Sequence, residues 1–184
     1  MTLKNLVLIS LLAACGALGI LTTNIFHSLV PLPGFGALIF QPLSFACLII
    51  ARGKTGYGAA AGLTKLIQNF IILFLPGGPM LTKNPLMIPL MSIDGFLIDI
   101  VHQIFPFKLA EKRLLCALLT GICGSLGLIL QTTIMFYFVG KEYFMLSHGF
   151  YFFVVVFILF HGILKAIGGA LGSAILKAVP DKIA

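Results

Sequence analysis

Six long apolar runs, each closed by proline, glycine or charge, leave this chain few ways to fold. They cover residues 5–29, 34–51, 57–75, 86–105, 113–139 and 150–178. The breaks fall at Pro31-Leu32-Pro33-Gly34, Arg52-Gly53-Lys54, Pro76-Gly77-Gly78-Pro79, Pro106 to Lys112, and Gly140-Lys141-Glu142. Proline lacks a backbone donor and glycine frees the backbone, so each break has a mechanism. About 20 apolar residues suffice to cross the hydrocarbon core as a helix. Of the 184 residues 60% are apolar and 9% are charged, with a mean hydropathy of +1.14. Soluble domains carry roughly a quarter charged residues, so this chain has too little polar surface to face water. The alternating pattern of a membrane barrel is absent. The expected fold class is all-α: a polytopic membrane protein, a six-transmembrane-helix bundle, with residues 1–184 as one integral membrane domain.

Basic residues accumulate on the cytoplasmic side of membrane proteins. With the N-terminus inside, the inner side collects Lys4, Arg52, Lys54, Lys108, Lys112, Arg113, Lys177 and Lys182, and the outer side only Lys83 and Lys141. Both termini are therefore expected in the cytoplasm, at the cell membrane. Most of the net charge of +7 then follows from topology. No basic stretch is long enough to make a nucleic-acid patch. Leu12-Ala13-Ala14-Cys15 matches a lipoprotein processing site, but the apolar run continues to Leu21 and five more follow. A retained first helix is the expectation. Cys47, Cys116 and Cys123 fall inside runs at spacings that fit neither a zinc site nor a disulfide framework.

An ionisable residue inside a span is a functional candidate by default. Counting about 1.5 Å per residue places Lys65, Asp99 and Lys165 in one inner layer. His102 follows Asp99 by three residues and His161 precedes Lys165 by four, so each pair shares a helix face. Gln41 and Asp94 form a second layer nearer the outside, where Gln68 and Asn69 rise to meet them. Asn24, His27, Gln131, Thr132 and Thr133 lie closer still to the outer surface. This is the pattern of a polar column that opens outward to admit a hydrophilic small molecule. The competing reading is polar bonding between helices that only holds the bundle together.

Small residues form a second signal. The first run carries Ala13, Ala14, Gly16, Ala17 and Gly19; the fifth has Gly121, Gly124 and Gly127; the sixth has Gly168, Gly169, Ala170, Gly172, Ser173 and Ala174. Such patches serve either packing within the bundle or contact with a partner helix. Gly53-Lys54-Thr55 lacks the upstream glycine of a phosphate-binding loop, so no ATPase activity is expected. Neither His-Glu-x-x-His nor Gly-x-Ser-x-Gly occurs. No enzyme, cofactor or metal is expected, since Asp99 and His102 alone are too few for a metal site.

Six spans, the length, Ala13-x-x-x-Ala17 in the first run and the outward-opening polar column together resemble the substrate-binding S components of energy-coupling factor (ECF) vitamin transporters. The stretch from Pro33-Gly34-Phe35-Gly36 through Ile49-Ile50-Ala51-Arg52-Gly53-Lys54 to Gly58-Ala59-Ala60-Ala61 looks like the thiamine-precursor branch. The resemblance implies capture of a small water-soluble vitamin or vitamin precursor from outside. It also implies delivery through a T subunit and two separate ATPases. It makes Ala13 and Ala17 partner-docking residues, and the loop after the first run and the loop from Pro76 to Pro89 lids. Gln41, Gln68, Asn69 and Asp94 would contact substrate, with Lys65, Asp99 and Lys165 either substrate counter-ions or internal pairs. The chain begins Met1-Thr2, unlike metal-specific members, and has no Trp for the aromatic clamp of a thiamine binder. The alternative is a stand-alone secondary carrier that uses the Lys and Asp residues as a proton or ion relay.

Overall fold

The computed structural model describes residues 1–29, 37–75, 85–139 and 150–179, with side chains for 1–20, 38–75, 85–134 and 158–179. Among them are six α-helices and no strand: α1 (Leu3–Leu29), α2 (Ala37–Thr55), α3 (Ala60–Phe74), α4 (Ile93–Ile104), α5 (Arg113–Val139) and α6 (Phe150–Ala178). Two short 3-10 turns, Pro85–Met87 and Leu90–Ser92, lead into α4. The fourth helix thus starts later than the expected residue 86, because Pro85 and Pro89 keep the chain in tight turns first. Positive φ at Gly56 (60°) reverses the chain between α2 and α3, a conformation that glycine adopts without a Cβ clash.

The helices close into a ring in the order α1, α3, α4, α5, α6, α2, with α2 also touching α3. Their ends alternate, and side-chain bonds show which ends meet. Asn5 Nδ2 donates to Thr55 O at 3.4 Å, and Gln103 Nε2 to Gly58 O at 2.7 Å. Lys54 donates to Val179 O and Ser173 to Leu109 O. The start of α1, the end of α2, the start of α3, the end of α4, the approach to α5 and the end of α6 therefore share one end of the ring. Lys4, Lys54, Lys108, Lys112, Arg113 and Lys177 lie at that end.

Polarity is distributed inside out. On α6 the exposed residues Leu159, Ile163, Ile167, Leu171 and Ile175 recur every fourth position, and on α5 Leu114, Leu118, Ile122 and Leu126 do the same. In water such ridges would be an aggregation surface; in a bilayer they meet acyl chains. Turned inward are Ser44, Thr64, Lys65, Gln68, Asn69, Asp94, Asp99, His161 and Lys165, all buried.

Among the described residues, four segments are long and apolar enough to cross a membrane: Leu3–Ile20, Pro85–Ile104, Arg113–Ile134 and Ile158–Ala178. The chain is a membrane protein on this evidence. Against the expected six spans, Ala60–Phe74 is apolar but shorter, about 22 Å for its 15 residues. Helix α2 carries Arg52 and Lys54 in its last turn, which lowers its apolar character.

Candidate functional site

The polar residues meet at the axis of the ring, where α2 to α6 each supply a group and α1 supplies the space at Gly16. Lys65 on α3 donates to Ser44 Oγ on α2 at 3.0 Å. Ser44 Oγ in turn donates to Gln68 Oε1 at 2.9 Å, and Gln68 Nε2 lies 2.8 Å from the same hydroxyl. Lys165 on α6 donates to Asp94 Oδ2 on α4 at 3.3 Å and to Gly124 O on α5 at 2.9 Å. The Lys65 ammonium stands 5.6 Å from the Phe40 ring centre and 5.2 Å from that of Phe45; Lys165 stands 5.0 Å from Phe45. One phenyl ring therefore serves two cations, at separations where a ring quadrupole attracts an ammonium.

Glycines make room for these side chains. A Cβ on Gly16 of α1 would sit 3.1 Å from Gln68 Oε1, and one on Gly95 would sit 2.8 Å from Lys65 Cβ. On Gly127 it would meet Asp94 Cβ at 2.6 Å, and on Gly124 it would overlap the Lys165 stem. Each charged or amide group of the junction thus packs across a glycine on the facing helix. On α6, Gly168 and Gly172 instead admit the α2 backbone, where a Cβ would come within 2.7 Å of Pro42 O and 2.9 Å of Ala46 O. The small-residue patches of α5 and α6 are internal packing surfaces.

Ala13 and Ala17, expected to dock a partner, are both 0% exposed. With Ile9, Gly16 and Ile20 they form the inner stripe of α1, and Ala17 packs in one cluster with Ile20 and Ile72. A partner subunit cannot touch them without parting α1 from its own bundle. The face that α1 turns outward instead carries Leu3, Val7, Leu11 and Leu18.

The layering also differs from expectation. Asp94 belongs with the lysines, since it pairs with Lys165. Asp99 lies about one and a half turns further along α4 and pairs with neither lysine. Its carboxylate accepts the backbone N–H groups of Gly62 at 2.7 Å and Ala61 at 3.3 Å, and Arg52 Nε stands 3.6 Å away. It fills the open first turn of α3 from a neighbouring helix, where unpaired N–H groups and the helix dipole favour an anion. Arg52 also donates to Tyr57 O, and its Nη2 lies 3.5 Å from His102 Nδ1. His102 Nε2 is 3.0 Å from Phe107 O. Depths counted inward from the outer helix ends misplace these groups because α6 has 29 residues, about 43 Å, well beyond a core of about 30 Å.

Further from the basic end of the ring than the lysine layer, Asn69 donates to Ser92 Oγ at 3.0 Å, and Ser92 donates to Ile88 O at 2.7 Å. Thr132 bonds Leu128 O within its own helix at 2.7 Å. Among the described residues, Gln41 Oε1, Gln131 Nε2 and Arg52 Nε are buried with no hydrogen-bond partner. The side chains of Asn24 and His27, the loop after the first helix and residues 76–84 lie outside the described residues. Among the described residues, no three His, Cys, Asp or Glu side chains gather as metal ligands.

No family model, curated protein or solved structure matches the chain. Sequence reading missed Ser44, Phe45 and Arg52. Ser44 carried a usable signal, as a hydroxyl three residues after Gln41 in an apolar run. Arg52 looked like an ordinary loop cation, and only the fold shows it buried beside Asp99.

Proposed function

We propose that this protein is a membrane-embedded solute-capture subunit, with six spans and both termini in the cytoplasm. Its polar junction at the ring axis binds a small water-soluble molecule that arrives from outside. The observation that carries this reading is the convergence of Lys65, Ser44, Gln68, Asp94 and Lys165 at the axis of a ring whose exterior is aliphatic. Burying two ammonium groups and a carboxylate is costly unless they are paired. A bundle needing stability alone does better with apolar residues in those places. The alternating helix ends and the basic residues gathered at one of them support the cytoplasmic placement. The shorter α3 and the charged end of α2 fit within the ring because neighbours cover their polar ends.

The ECF resemblance supplies the mode of action proposed here. The solute is a vitamin or vitamin precursor, and transport is powered by separate ATPases acting through a T subunit. Docking by way of Ala13 and Ala17 is no part of this reading. A partner would meet the outward face of α1 or another lipid-facing ridge.

The test is co-expression with an ECF module followed by reconstitution in proteoliposomes. ATP-dependent uptake of the molecule that co-purifies with the chain is the expected result. A second reading, a stand-alone carrier, draws on the buried Lys165–Asp94 pair, which is the kind of group an ion-coupled carrier titrates. Uptake by this chain alone in ATP-depleted vesicles would establish the carrier and dismiss the capture subunit.

A further inference from the structure

We infer that the captured solute is a small monoanion, with Lys65 as its counter-ion. The inference rests on the capture reading and adds the chemical class. Among the described residues five charged side chains are buried: Arg52, Lys65, Asp94, Asp99 and Lys165. Arg52 stands beside Asp99, and Lys165 pairs with Asp94. Among the described residues no carboxylate lies within ion-pair distance of Lys65. Among these five, three cations face two anions, and Asp94, whose field also reaches Lys65, is bonded to Lys165.

The remaining contacts of Lys65 leave capacity for an anion. An ammonium has three donors, and here one acceptor, Ser44 Oγ, is within reach. The other directions meet the rings of Phe40 and Phe45, which attract a cation weakly and accept no strong hydrogen bond. A carboxylate would supply both missing charge and missing acceptors, in the shorter and stronger bonds that charged partners make.

Three buried side-chain atoms among the described residues lack a hydrogen-bond partner; Arg52 Nε faces Asp99 at 3.6 Å, and the other two point to where the rest of the solute lies. Gln41 stands four residues before Phe45 on α2, and Gln131 stands four after Gly127 on α5. Both spacings put the amide on the helix face that bears the lysine layer, one turn away. The direction is the same for both, away from the basic end of the ring. Gln41 lacks a partner for an acceptor and Gln131, which is 5% exposed, lacks one for a donor. Side-chain amides buried this way are costly, and a solute carrying a donor and an acceptor beyond its carboxylate satisfies both. Phosphate dianions fit less well, since one surplus charge balances one negative charge.

Binding of matched acids and amides to the full-length protein in lipid nanodiscs tests this. The probes are sodium nicotinate, benzoate and lactate against nicotinamide, benzamide and lactamide, at equal sodium and read by thermal stabilisation. At least one acid is expected to stabilise the wild type while its amide does not. K65M should weaken that acid by about tenfold or more, and K65R should restore part of it. If K65M does not fold, the acid-against-amide comparison on the wild type still decides. Amides that bind as well as acids, no stabilisation by any acid, or acids that bind K65M undiminished, each overturn the inference.

Mass spectrometry of molecules released from the purified protein separates this failure from failure of the capture reading. A retained water-soluble anion supports both. A retained neutral or cationic solute overturns the anion and leaves capture standing. Release of phospholipid alone, with no probe bound, overturns both.

Discussion

The carboxylate of Asp99 on α4 accepts the backbone N–H of Gly62 on α3 at 2.7 Å, with Arg52 of α2 3.6 Å from its other oxygen. One side chain thus ties three helix ends together at the basic end of the ring. D99N retains the shape but loses the charge opposite Arg52, and D99A loses both. Removing one partner of a buried pair costs about 3–5 kcal/mol, so D99A is expected to lower stability by about that much and D99N by less. Thermal unfolding in detergent checks the order. Equal and negligible effects for both variants would remove Asp99 from the scaffold.

Gly127 and Gly124 differ in what stands opposite. A Cβ on Gly127 would meet Asp94 Cα at 3.0 Å and Asp94 N at 3.2 Å, which are backbone atoms with nowhere to go. G127A is expected to destabilise by about 1–3 kcal/mol through overpacking, despite the gain of about 1 kcal/mol in helix propensity. G124A presses on the flexible Lys165 stem and displaces the ammonium from Asp94. It should therefore impair solute binding more than it impairs stability. Parallel melting and binding measurements on the two variants distinguish the effects.

Ala13 and Ala17 face the interior. A13L and A17L are each expected to destabilise the isolated chain by about 1–3 kcal/mol, read as a lower melting temperature with no partner present. Residues on a docking surface would leave that melt unchanged. An unchanged melt together with loss of a partner complex would return both alanines to the surface.

Topology has a direct measurement. In a chain with its four native cysteines replaced by serine, K4C, K112C and K177C are expected to react with an impermeant maleimide only from the cytoplasmic side. Labelling of K4C and K177C from opposite sides would break the even number of spans. Labelling of all three from outside would invert the orientation.

The membrane class was legible in the sequence because apolar runs of span length need no partner to be read. Lys65, Gln68, Asp94 and Lys165 were also visible one by one, since charge and amide inside an apolar run are conspicuous. Their pairing was not. Counting residues from helix ends put Asp94 and Lys165 in different layers, and only the packing of α4 and α6 on either side of α5 sets them together. Which partners Asp99 takes was hidden for a related reason: two of them are backbone N–H groups of another helix, which every residue has and no composition reveals. Ala13 and Ala17 show the limit of small-residue spacing. Such spacing says that another helix comes close, without saying whose.

Phe45 has a consequence of a different kind. A carboxylate between Lys65 and Lys165 would cancel charge; a phenyl ring polarises toward both ammonium groups and cancels none. The ring lets two lysines share one layer, while the carboxylate of Asp94 pairs with Lys165 alone. A monoanionic solute would meet, at Lys65, a cation that the ring attracts without neutralising.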